Sequence, residues 1–244
     1  MAGRRVRRWL TVGGAAALLL SLPACVPQLL GGRAYRVFPA PPARTVALFV
    51  SGDTGLRYGM ARHVAKVLAA DGLPIVGISS TTAFASTRTR ADVDAVLMRG
   101  IRQALALPGA ERLILIGQSF GADMLSTGTP DLPEDIRRRV VAIVLVVPGK
   151  TAFFHADPLG FAYHGTPDAR PAAGVRGIDW APVTCIQGAE EEDSLCPELV
   201  GSPVVRIVLP GGHYLHHDYQ RVAATVRGRL AQFLPDRVPP QREP

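Results

Sequence analysis

The sequence predicts an α/β fold: a mostly parallel central sheet with helices on both faces. Three observations carry this. Short apolar runs alternate with helix-period segments from Thr45 onward, the order that builds parallel sheets. Val140 to Val147 is almost wholly Val, Ile, Leu and Ala, as a strand buried on both faces should be. The 244 residues are 48% hydrophobic and 19% charged, enough apolar material for a core and too much for a disordered chain.

In chain order, Tyr35 to Phe38 reads as a short edge strand and Val46 to Val50 as a buried strand that ends in Ser51-Gly52-Asp53-Thr54-Gly55. Met60 to Ala70 has helical period and stops at Asp71-Gly72. Pro74 to Ile78 is a strand, and Ala91 to Leu107 a long amphipathic helix closed by Pro108-Gly109. Leu113 to Ile116 is the next strand, followed by Gly117 and a helix. After Val140 to Val147, the stretch from Thr151 to Asp179 has no clean period, and its Gly, Pro and aromatic content suits a lid or substrate-facing loop. Val183 to Gln187 and Val204 to Leu209 are two more strands, and Tyr219 to Phe233 is a closing helix.

The amino terminus reads as an export signal, residues 1–24. Met1 to Trp9 is basic, and Leu10 to Leu22 is an apolar run of only 13 residues, short of the roughly 20 a membrane span needs. Leu22-Pro23-Ala24-Cys25 has the pattern of a bacterial lipobox, which makes Cys25 the site of lipidation and residues 25–43 a tether. Ordinary cleavage to a soluble secreted form is the alternative. Either route places the domain, residues 44–234, in the periplasm, with 235–244 a disordered tail.

Export settles how charge and cysteines are read. The formal charge is +7, but Arg4, Arg5, Arg7 and Arg8 belong to the leader, and without them 23 bases face 20 acids. That excludes a nucleic-acid binder resting on bulk charge. With Cys25 lipidated, Cys185 and Cys196 remain as an even pair in an oxidising compartment and should form a disulfide. Closing that loop stabilises the fold by about 3 kcal/mol on the chain-entropy estimate.

The chemistry centres on Gly117-Gln118-Ser119-Phe120-Gly121. Between an apolar strand and a helix this G-x-S-x-G pentapeptide forms a sharp turn that lifts the serine hydroxyl above the sheet. A serine needs a base, and the base an orienting acid, in the chain order serine, acid, histidine. His213, in the flexible Leu209-Pro210-Gly211-Gly212-His213 turn after the last strand, is the expected base, ahead of His216 and His217. The acid should follow the Val183 strand, where residues 188–193 offer four carboxylates. Asp193 is the first choice, because Asp193 to Pro197 has the spacing of an acid-to-proline turn, and Glu191 is the alternative. The oxyanion donors should be the backbone N–H groups of Phe120 and Asp53. No G-K-[ST] follows the Gly52 loop, so it is not read as a phosphate cradle, and the chemistry calls for no cofactor and no metal.

Four blocks in one order resemble the bacterial virulence protein family of VirJ and AcvB. They are Ser51-Gly52-Asp53; Gly117 to Asp123; Cys185-Ile186-Gln187-Gly188 with the acidic run to Cys196; and Pro210-Gly211-Gly212-His213 with Asp218-Tyr219. The likeness spans Thr45 to Phe233. It implies an α/β-hydrolase-like protein of the periplasm, and for some members hydrolysis of lysyl-phosphatidylglycerol. On that reading a membrane phospholipid is the substrate, and Asp123 and Asp53 are candidate residues for its cationic aminoacyl group. Asp123 also has a plainer role, complementing the helix dipole or capping a loop. The family's S-G-D-G-G-W loop reads Ser51-Gly52-Asp53-Thr54-Gly55-Leu56 here, and the Tyr common before the serine is Gln118. Two other readings stand beside this one. One is an esterase or thioesterase for neutral substrates, and the other a non-catalytic, chaperone-like factor partnered with type IV secretion components. The sequence does not specify an oligomeric state.

Overall fold

The computed structural model describes residues 33–161 and 163–234. The export segment 1–24, the lipidation site Cys25 and the tail 235–244 lie outside the described residues, as does the first part of the tether, to residue 32.

The strands are β1 (Tyr35–Phe38), β2 (Thr45–Val50), β3 (Ile75–Ile78), β4 (Arg112–Gln118), β5 (Val140–Val146), β6 (Val183–Gly188) and β7 (Val205–Leu209). They form one seven-stranded sheet in the order β1-β3-β2-β4-β5-β6-β7. Only the β1–β3 pair is antiparallel. The helices are α1 (Gly59–Ala70), α2 (Ser80–Ala83), α3 (Arg90–Leu105), α4 (Phe120–Gly128), α5 (Glu134–Arg137), α6 (Ala172–Arg176) and α7 (Tyr219–Leu230). The short α2, α5 and α6 have too few turns to show a period in sequence.

The strand alternation divides the core in two. Val46, Leu48 and Val50 of β2, with Leu113 and Leu115 of β4, face the layer that holds α3 and α4. Ala47 and Phe49, with Ile114 and Ile116, face the layer that holds α1 and α7. Both faces are covered, so the middles of the central strands, Val46–Val50 and Leu113–Ile116, are apolar at every position rather than every second one. Each large side chain so buried contributes roughly 1.5–3 kcal/mol. The start of α3 is fixed by a capping box: the Asp92 N–H donates to Thr89 Oγ1 at 3.2 Å and the Thr89 N–H to Asp92 Oδ2 at 2.9 Å.

A parallel sheet collects its strand ends on one edge. The loops after β2, β4, β5, β6 and β7 all leave the carboxyl edge, where a site assembled from distant segments is expected. The 151–179 stretch returns over that edge. It is pinned by a bridge between Ala152 and Ala169 and by the Phe154 N–H donating to Asp168 Oδ2 at 2.8 Å.

Candidate active site

Ser119 stands between β4 and α4 with φ 52° and ψ −126°, a left-handed φ that few non-glycine residues adopt. Three backbone bonds hold it there. Its N–H donates to Val146 O at 2.8 Å, and its carbonyl accepts from Ala122 N–H at 2.7 Å and Asp123 N–H at 3.1 Å. Gly121 lets α4 begin directly over the end of β2, since a Cβ there would lie 2.2 Å from Val50 O. The strain is thus imposed by the strand end and the helix start together.

Ser119 Oγ lies 2.7 Å from His213 Nε2, and His213 Nδ1 lies 2.6 Å from Glu191 Oε1. A carboxylate can only accept, so the arrangement that satisfies both contacts puts the imidazole proton on Nδ1 and leaves Nε2 to accept from the serine. Glu191 is almost fully buried, its side chain 5% exposed.

The acid on His213 is Glu191, and this corrects the expectation of Asp193. The cause is local. β6 ends in a tight turn in which the Glu191 N–H donates to Gly188 O at 3.3 Å and the Gly188 N–H to Glu191 Oε2 at 3.2 Å. The turn also touches the histidine loop: the Glu190 N–H donates to Gly211 O at 3.0 Å, and a Cβ on Gly188 would sit 2.3 Å from that oxygen. Only a side chain at position 191 is carried back to the imidazole. Asp193 is drawn toward the loop after β5 instead. Its carbonyl accepts from Lys150 N–H at 3.2 Å, and the neighbouring Ser194 bridges Gly149. Cys185 and Cys196 are bonded as expected, with Cα atoms 5.6 Å apart, so β6 and the far end of the acid loop are stapled together.

The triad opens into a cavity of about 1120 Å³. Seven carboxylates line it, from Asp53, Asp123 and Asp157 to the run Glu190–Asp193, against one guanidinium, Arg170. Asp123 lies deep in the pocket wall, and its Oδ1 accepts the Gly149 N–H at 2.7 Å, which ties α4 to the loop after β5. The loop-capping role expected of it is therefore filled. Burial pushes its carboxyl well above the usual carboxylate range, and its charged neighbours Asp53, Asp193 and Glu191 push the same way. Asp53 is also raised by burial, while hydrogen bonds from Tyr163, from Asp157 N–H and from its own backbone hold it down in part. Tyr163 Oη donates to Asp53 Oδ1, and the Asp157 N–H reaches the same oxygen at 3.1 Å. Burial and that contact with Asp53 push the Tyr163 phenol upward.

The backbone N–H of Phe120, the first residue of α4, has no acceptor within its helix and lies beside the nucleophile. Asp53 is held at the pocket by a residue whose role the motif did not reveal. Gln118 Oε1 accepts the Gly52 N–H at 3.1 Å, which clamps the loop after β2 to the end of β4. Tyr163, Asp157 and Arg170 were also not singled out in sequence. They come from the aperiodic stretch, whose aromatic content was their only signal.

Fold and site together define the class: an α/β-hydrolase fold with a Ser–His–acid relay above the carboxyl edge of the sheet. The chain belongs to the bacterial virulence protein (VirJ) family, whose model matches residues 44–233. Solved structures support the fold. A Klebsiella pneumoniae protein assigned as a dienelactone hydrolase superposes with TM-score 0.59 at 14% identity, covering 82% of this chain and 99% of its own. Carboxylesterase CesB from Bacillus subtilis gives 0.56 at 14%, covering 81% and 88%. A lidless α/β serine hydrolase from Xanthomonas campestris gives 0.56 at 16%, covering 83% and 90%. No curated protein matches the chain in sequence.

Proposed function

We propose that the protein is a serine hydrolase of carboxylic esters whose acyl group carries positive charge. The observation that carries this reading is the assembled relay, Ser119–His213–Glu191 at 2.7 and 2.6 Å, opening into a pocket lined by seven carboxylates and one arginine. Ser119 Oγ attacks the ester carbonyl carbon as His213 Nε2 takes its proton, and Glu191 stabilises the imidazolium. The oxyanion is held by the N–H of Phe120 and by that of Asp53, which must turn from its own carboxylate to serve. The alkoxide leaves with the proton from His213. Water, deprotonated by the same imidazole, then releases the acid from the enzyme.

For substrate we infer an aminoacyl ester of phosphatidylglycerol, lysyl above others, hydrolysed in the periplasm by a lipid-tethered enzyme. Family membership and the acidic pocket support this inference. A lysyl ammonium placed between Asp53 and Asp123 would give both carboxyls the cation they lack. Removing lysine would return negative charge to the membrane surface. A neutral ester would gain nothing from such a lining, and a purely chaperone-like factor would have no use for an aligned relay.

Kinetics on lysyl-, alanyl- and unmodified acyl-glycerol esters test the substrate. A desolvated charge pair should favour the lysyl ester in kcat/KM by about 1.5–3 kcal/mol, roughly ten- to a hundredfold. Equal values for lysyl and alanyl esters would remove the headgroup assignment and leave a hydrolase.

A further inference from the structure

Eight large apolar side chains stand exposed among the described residues, and half of them gather at one place. Val37, Val200, Val205 and Val208 are scattered on or near the sheet's edge strands. Tyr58, Leu159, Phe161 and Tyr214, each between 67% and 76% exposed, lie in or next to the lining of the active-site cavity. Tyr58, Leu159 and Tyr214 line the cavity itself, and Phe161 follows the lining residue Gly160. They come from three separate segments: the loop before α1, the 151–179 stretch and the histidine loop.

Beside it runs a groove of about 550 Å³ whose cationic side chains are Arg57, Arg62 and Lys66. The groove shares Tyr58, Gly59 and Tyr219 with the cavity, so the cations border the rim directly. The acids after β6 leave the sheet three strands away from β2, whose loop leads to the groove. The mouth is therefore apolar and basic at its α1 margin, and acidic within and along the loop after β6, where Glu190, Glu192 and Asp193 are exposed.

We propose that this rim is a membrane-docking surface, with an anionic phospholipid bilayer as its occupant. Tyrosines, an aliphatic and a phenylalanine set beside cations match the interfacial layer: ring and alkyl groups enter the headgroup boundary while Arg and Lys meet lipid phosphates. No helix among the described residues is long and apolar enough to cross a membrane, so the contact is with the surface. Docked in this way, the cavity opens onto the headgroups, and an ester in a lipid headgroup enters without leaving the bilayer. The same charge pattern sorts the two halves of such a substrate, phosphate to the groove and ammonium to the acidic wall. The proposal deepens the hydrolase reading by giving its site a surface. Its test needs no turnover, so each can fail without the other.

The test uses the exported protein with Phe161→Trp, or Val205→Trp at the opposite edge of the sheet, on phosphatidylglycerol–phosphatidylethanolamine vesicles with brominated acyl chains. A side chain seated about 5–10 Å into the boundary lies within reach of bromine. Emission from Trp at 161 should shift to the blue and be quenched, and emission from Trp at 205 should not change. Replacing Arg57, Arg62 and Lys66 together by Gln should lower the docked-to-undocked ratio roughly a hundredfold, from about 1 kcal/mol per cation near an anionic surface. The circular dichroism of that variant should match that of the wild type. An unquenched Trp at 161 would overturn the proposal and leave the rim to a protein partner. Equal quenching at both positions, or full docking by the triple variant, would also overturn it.

Discussion

Two carboxylates line one pocket and are supported differently. Glu191 accepts a backbone N–H from Gly188 and faces the imidazole of His213. Asp123 likewise accepts a backbone N–H, from Gly149, but its charged neighbours are Asp53, Asp193 and Glu191. The first acid has its partner built into the fold. The second is held in place without one, and burial raises its pKa instead. On the proposed reading, the first serves the relay and the second meets a charge that arrives with the substrate.

The comparison breaks first at the nucleophile. Ser119→Ala should lower kcat on an activated ester by roughly 10⁴–10⁶ and end labelling by a fluorophosphonate, with the circular dichroism unchanged. Turnover near wild type would remove the serine mechanism altogether. Glu191→Gln keeps the shape of the acid but presents a donor or a weaker acceptor to Nδ1, and kcat should fall by about 10³–10⁴. Asp193→Asn should stay within a few-fold on the same ester, and a reversed order would restore Asp193 as the orienting acid.

Smaller effects sharpen the second half of the comparison. Asp123→Asn preserves the acceptor for Gly149 N–H, so a small neutral ester should be hydrolysed as before while most of the ten- to hundredfold lysyl preference disappears. The same variant should be more stable than wild type at neutral pH. A carboxyl whose folded pKa is raised gives stability that is complete below its unfolded value near 3.9 and is lost as pH rises through the folded value. The gain from Asn should therefore shrink as the pH falls toward 4, which denaturation midpoints at pH 4 and 8 would show. Replacing Cys185 and Cys196 by Ser should lower stability by about 3 kcal/mol.

The sheet was legible because its signals are local. Val46–Val50, Leu113–Ile116 and Val140–Val147 are buried on both faces, and nothing else reads as they do. Ser119 and His213 were legible because a strained elbow and a Gly-rich turn each need particular residues. Glu191 was not, because four adjacent carboxylates look alike until the direction of a turn is known. That direction depends on the contact between Gly188 and Gly211, two positions far apart in the chain. The Asp53–Tyr163 contact was hidden for the same reason, since it joins loops 110 residues apart.

The Gln118 clamp on Gly52 N–H has a consequence for how this chain can diverge from its relatives. Gln118 and the segment Thr54 to Leu56 are the two places where the sequence departs from the motifs it otherwise resembles, and the clamp joins the end of β4 to the loop that carries them. A tyrosine at 118 would carry its oxygen well past the point that Gln118 Oε1 occupies and could not make the same short contact. The loop would then need another anchor. Exchanging Gln118 alone would thus pass through an intermediate in which the loop bearing Asp53 is untied, whereas exchanging Thr54 or Leu56 would leave the clamp on Gly52 N–H in place.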